Sequence, residues 1–188
     1  MDPLLGIPVG LALSTAVGLR VFIPLLLTSL AARFGYLTLA PGMSWIASDA
    51  ALVAFATAAI VEIAAYYVPW LDNVADVVAV PAAITAGIIE MAAVTPELPP
   101  LVRWTVAVIA GGGIAGFAQL GTSLLRLKSS ALTAGIGNPV VATGELIGSL
   151  ALAVLGLLAP LIAAVIAIVL LALLARRVFR RRAHSSLR

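Results

Sequence analysis

The sequence predicts an all-α fold, a polytopic transmembrane helical bundle of five to six spans with short or broken helices. Three observations carry this reading. Of the 188 residues, 63% are hydrophobic and 10% charged, whereas soluble domains run at about 45–50% and about 25%. The mean hydropathy is +1.19, and a globule of this size has too little interior to withhold that much apolar surface from water. The apolar residues are also collected into five blocks, each close to the roughly 20 residues that a helix needs to cross hydrocarbon. Soluble globular, disordered and fibrous classes are excluded.

The first block, residues 4–32, is interrupted only by Arg20. Gly18 and Pro24 flank that arginine, where one short helix could end and another start. Residues 35–42 form a loop. The second block, residues 50–68, contains Glu62. A turn at residues 69–73 follows, in which Asp72 or Asn73 can cap the next helix. Asp72, Asn73 and Asp76 together could hold a metal through oxygen ligands, but acidic side chains at a helix N-terminus explain them without one. The third block, residues 77–94, contains Glu90. Residues 96–100 carry three prolines and break the chain. The fourth block, residues 101–125, has Arg103 at its edge and Gly111, Gly112 and Gly113 in its middle. Three glycines cost about 1 kcal/mol each relative to alanine and mark the natural place for an unwound or broken helix. Residues 126–138 form a polar linker ending in Asn138-Pro139, an N-cap followed by proline at the first helical position. The fifth block, residues 139–175, contains Glu145 and Pro160. As one helix it would run about 55 Å, long for one span and short for two, so Gly156 and Pro160 mark either a hairpin or a kink.

Charge placement orients the chain. Arg176, Arg177, Arg180, Arg181, Arg182 and Arg188 crowd the C-terminus, and without them the chain is net negative. The pI near 10.0 is therefore no nucleic-acid signature. Residues 1–175 read as one transmembrane domain, and residues 176–188 as a basic cytoplasmic tail that touches anionic lipid headgroups. Basic loop residues tie between five and six spans. Tyr66, Tyr67, Trp70, Trp45 and Trp104 fit an interfacial aromatic belt.

A shift of 94 places Gly18 on Gly112 and Thr28-Ser29-Leu30 on Thr122-Ser123-Leu124. A shift of 96 places Asp49 on Glu145. The copies, residues 4–95 and 101–175, begin three apolar blocks apart. An odd number of crossings inverts the second, as in inverted-topology transporters. Chance matching in an alanine-rich chain is the alternative.

Some residues are expensive in a bilayer. Arg20 lies sixteen residues into its block, where a charge costs roughly 2.5–3.5 kcal/mol on insertion scales. It needs a partner or a wet cavity, unless the helix ends there and lets it snorkel. Glu62 and Glu90 are the expected partners, with a purely structural ion pair or neutral acid as the alternative. Tyr66 lies one turn from Glu62 on the same face. Gly112, Gly116, Gln119, Ser123 and Arg126 share a stripe of roughly 80°, a polar pathway or a packing seam. Gly6, Gly10, Ser14 and Gly18, and Gly144 with Gly148, make further small-residue seams for a compact bundle or a homodimer.

The stretch Gly18-Leu-Arg-Val-Phe-Ile-Pro-Leu-Leu resembles the opening motif of the bacterial membrane proteins grouped as domain of unknown function 4126. Val61-Glu62, Pro69-Trp-Leu-Asp72-Asn73 and Asp76 resemble that family's second motif. Gly135-Ile-Gly-Asn138-Pro139-Val-Val with Glu145 resembles its third. Tyr66-Tyr67 departs from the pattern, standing where the resemblance leads one to expect an acidic residue, which implies one polar contact fewer near Glu62. The resemblance implies a polytopic inner-membrane protein and no particular activity.

With no cysteine, and a single histidine, His184, in the tail, thiolate and imidazole catalysis are excluded. No catalytic residue, metal or other cofactor is expected. The functional expectation is a transporter or channel for an ion or small solute in the bacterial inner membrane, multi-pass, with its C-terminus cytoplasmic. Its ligand-binding residues would be Arg20, Glu62, Glu90, Gly112 and Gln119. The expected partners are the lipid bilayer and a second copy of the chain. The competing expectation is a non-transporting scaffold or lipid-binding protein whose buried charges are structural.

Overall fold

The structure is a computed structural model that describes residues 5–133 and 135–185, with side chains throughout except at residues 69–76 and 177–185. Among the described residues it is all-helical, with no strand. The acidic turn at Asp72, Asn73 and Asp76, the belt residue Trp70 and the arginine tail beyond Arg176 lie outside the described side chains.

The first apolar block resolves into two helices, α1 (Gly6–Val17) and α2 (Phe22–Arg33). Pro24 explains why. In one continuous helix its ring would clash with the carbonyl of Arg20, and it has no N–H to donate there. Restarted at Phe22, the helix places Pro24 in its first turn, where backbone donors go unused anyway. A short 3₁₀ turn, Ser44–Ala47, leads to α3 (Asp49–Tyr66). Ser48 caps α3, its Oγ accepting from the Ala51 N–H at 3.2 Å. Val68 is extended, and α4 (Pro69–Ala93) begins at the proline. That start precedes Asp72 and Asn73, so neither stands at the N-cap position expected of it.

The fourth block also begins at a proline. Helix α5 (Pro100–Val106) passes through a π-helical segment, Ala107–Gly112, into α6 (Gly113–Thr133). The expected break at Gly111, Gly112 and Gly113 is thus a widened turn inside a continuous run of 34 residues. The fifth block divides at Ala159 into α7 (Asn138–Leu158) and α8 (Pro160–Ser185). The division is a hairpin. A Cβ at Gly121 of α6 would touch Leu174 of α8 at 3.3 Å, while Gly18, two residues before Arg20, abuts Gln119 one half-turn earlier on α6. Arg20 in turn bonds Ala142 of α7. The far end of α8 therefore returns to the level of the start of α7.

Helix α1 is the axis of the bundle. Val9, Ala12, Leu13 and Ala16 are fully buried and pack with Met91, Ala153, Ala163 and Ala167. Glycine makes this approach feasible. A Cβ at Gly6 would lie 2.7 Å from the Val94 carbonyl oxygen, and one at Gly10 would collide with the Met91 sulfur. The outward surface carries Val53, Ile60, Val77, Ile109, Ile147 and Val165, a face suited to lipid. Helix α3, the 34-residue run and α7 are each long and apolar enough to cross a membrane.

Candidate functional site

The break between α1 and α2 puts Arg20 on non-helical backbone, free to reach across the bundle. Its Nη2 donates to the Ala142 carbonyl of α7 at 2.8 Å. The same nitrogen lies 3.8 Å from Glu145 Oε2, and Arg126 Nη2 of α6 lies 3.5 Å from that same oxygen. One carboxylate thus serves two guanidinium groups. Tyr66, the last residue of α3, completes the cluster. The Arg20 and Arg126 Cζ atoms lie 4.0 and 3.9 Å from its ring centroid. All are sealed from the surface, with Arg20 at 1%, Arg126 at 1% and Tyr66 at 3% exposure. Two like charges persist side by side here because an anion and the negative face of an aromatic ring are both against them. Gly18 is what lets α6 come this close, since any Cβ there would collide with Ala118.

Glu62 sits one turn before Tyr66. Its Oε1 accepts the Val21 N–H at 2.8 Å and its Oε2 accepts the Phe22 N–H at 3.1 Å. The carboxylate therefore caps α2, where anionic charge is favoured and charge-assisted bonds are strong. Arg20 and Glu62 are brought together as expected, but through the backbone that follows Arg20. The carboxylate salt-bridged to Arg20 is Glu145, not Glu62 or Glu90.

Glu90 is elsewhere. It is fully buried and accepts from Thr28 Oγ1 at 2.8 Å, a contact between α2 and α4. Gly112 is a packing position, where a Cβ would lie 2.8 Å from Ile88. Gln119 is buried beside Gly18 and donates to Ser123 at 3.4 Å. The stripe on α6 is therefore a seam along its glycines that ends, at Arg126, in the charged cluster. Among the described residues, the pair Gly144 and Gly148 is not a close backbone seam: nothing described lies within 4 Å of a Cβ at Gly144, and Leu19 alone approaches Gly148.

Sequence reasoning missed Arg126, Glu145 and Tyr66 as site residues. Glu145 had the same signal as Arg20, a charge inside an apolar run. Tyr66 had its position one turn from Glu62. It belongs inside the bundle rather than in an interfacial belt, and where an acidic residue was expected its ring takes up both guanidinium groups.

On the flank of the cluster, two contiguous grooves of about 280 and 470 Å³ run between α2, α3 and α4. They share Val21, Phe22, Val78 and Ala82. Glu62 and Tyr66 line the smaller one. A second ion pair, Arg33 to Asp49, joins the end of α2 to the start of α3 in an exposed position. Among the described residues, no cluster of three His, Cys, Asp or Glu could hold a metal.

No curated protein and no solved structure matches the chain. The family described as domain of unknown function DUF4126 matches residues 7–180. The chain belongs to that family.

Proposed function

We propose that this protein is a six-span transporter or channel of the bacterial inner membrane, moving an ion or small solute through its charged interior. The observation that carries the reading is the cluster of Arg20, Arg126 and Glu145, held at an interrupted helix with Glu62 beside it. Charges at such depth persist when they are paired or line a pathway, and helices interrupted at membrane depth are the usual frame of a transport site.

The order of elements supports an inverted repeat. Each half is a run of two segments followed by two helices: α1–α2, broken at Arg20, then α3 and α4; and α5–α6, continuous but widened by its π-helical segment, then α7 and α8. Arg33 pairs with Asp49 between the first and second runs, and Arg126 with Glu145 between the fourth and fifth. These pairs are offset by 93 and 96 residues, close to the offset of the sequence match. One pair is exposed and its counterpart buried. In an inverted pair of repeats the two lie toward opposite faces of the membrane, and exchanging their states would alternate access. With six spans the arginine tail is cytoplasmic.

The burial of both guanidinium groups favours a second reading, in which the charges only hold the bundle together and the protein is a scaffold. Flux decides between them. Purified protein in liposomes, screened with inorganic ions and small organic solutes, transports at least one of them, and Arg20→Ala or Glu62→Gln abolishes that flux. Absence of any flux, or flux that survives both substitutions, overturns the transport reading.

A further inference from the structure

We propose that the groove between α2, α3 and α4 binds an organic cation with an apolar body, which enters sideways from the bilayer and takes Glu62 as its counter-ion. The inference rests on the transport reading and names its substrate class.

The chemistry of the walls decides the class. Among the described residues, Glu62 and Tyr66 are the titratable groups lining the groove. Apart from Thr85, whose hydroxyl donates to the Pro81 carbonyl, the remaining walls are apolar, including the aromatic rings of Phe22 and Phe55. Glu62 is half-buried. Each of its oxygens accepts one N–H from α2, and an ionised carboxylate has about four acceptor sites, so capacity remains for a ligand. Neither Arg20 nor Arg126 lines the groove; both stack on the Tyr66 ring. An anion in the groove would therefore meet a carboxylate and, among the described lining residues, no cation. A small inorganic cation would leave the apolar walls without use and would have to shed its water. A cation with an apolar body matches both features, with aromatic rings adding cation–π attraction.

The shape decides the route. Val61 and Val78 line the groove and are exposed on the outer face of the bundle, so its mouth opens on the apolar outer surface, which the transport reading turns toward lipid. The volumes, about 280 and 470 Å³, suit a drug-sized molecule.

The test uses two ions of one shape and opposite charge, tetraphenylphosphonium and tetraphenylborate, titrated calorimetrically into the purified full chain. Val78→Trp, which fills the groove and leaves Glu62 in place, gives the background of partition into detergent. Above that background the phosphonium binds at least about tenfold more tightly than the borate, a difference of about 1.4 kcal/mol. Glu62→Gln removes the preference, and Glu62→Asp retains part of it. Because Glu62 also caps α2, helicity and thermal midpoint are recorded for each variant. Preference for the borate, or phosphonium binding undiminished in folded Val78→Trp, overturns the proposal. So does the absence of saturable phosphonium binding, even where flux of another solute is found. Phosphonium binding that requires Glu62 in a protein without any flux upholds this site and overturns the transport reading alone.

Discussion

Arg20 reaches α7 because the chain is not helical where it stands. The contact spans 122 residues of sequence, and its meaning lies in what it shares. Glu145 is common to Arg20 and Arg126, so its loss differs from the loss of either cation. Glu145→Gln leaves two guanidinium groups facing each other, whereas Arg126→Gln leaves one arginine with its carboxylate. Breaking a buried pair costs about 3–5 kcal/mol. Glu145→Gln is expected at or above that range and Arg126→Gln below it, measured by denaturant unfolding in detergent. Tyr66→Leu keeps an apolar side chain but removes the ring from both arginines. It should cost about 2 kcal/mol, and in the Arg20→Met background that cost should shrink, as a double-mutant cycle would register. The expense of Arg20 and Glu62 could be read from the sequence, because a charge inside an apolar run stands out locally. The choice of Glu145 as partner could not, because it depends on how far α7 slides along α1.

At the scale of elements, glycines decide where helices meet. A Cβ at Gly87 would lie 2.5 Å from the Gly111 carbonyl oxygen, and Gly111 meets Gly87 in return, so α4 and the π-helical segment cross backbone to backbone. Gly87→Val should sharply lower the folded yield on gel filtration. Among the described residues, nothing lies within 4 Å of a Cβ at Gly113 or Gly144. Gly113→Ala and Gly144→Ala should raise the thermal midpoint, by up to the roughly 1 kcal/mol that separates the two residues in helix interiors. The pattern of small residues was readable in the sequence; which glycines are in contact was not. Spacing by four marks a face, but only tertiary register says whether another helix lies on it. The same limit applies at the broken helices. Pro24 and Pro160 each forced a new start, because a missing donor and a ring clash act locally. Gly111, Gly112 and Gly113 did not, because packing against α4 keeps the run helical.

For the whole molecule, the bundle is organised around a buried α1, with two halves of like element order and a charged cluster beside the break between α1 and α2. Cysteine labelling can test the arrangement directly, since the chain has no cysteine. Six spans place Tyr36→Cys on one side of the membrane and both Ile136→Cys and Ser185→Cys on the other. Five spans put Tyr36→Cys and Ser185→Cys on the same side. Tyr36 and Ile136 are both exposed, so an impermeant thiol reagent reaches them. In the proposed function the interior charges carry transport rather than merely hold the bundle together. Its most direct test is flux through proteoliposomes of the doubly neutral variant Arg126→Gln/Glu145→Gln, whose folding is verified by its thermal midpoint. Removing both members of the pair takes away one cation and one anion, so the net charge of the cluster is unchanged and Arg20 remains as its cation. Flux should fall at least about tenfold, the effect of about 1.4 kcal/mol on a rate, while the protein stays folded. A folded double variant that transports at the wild-type rate would contradict the transport reading.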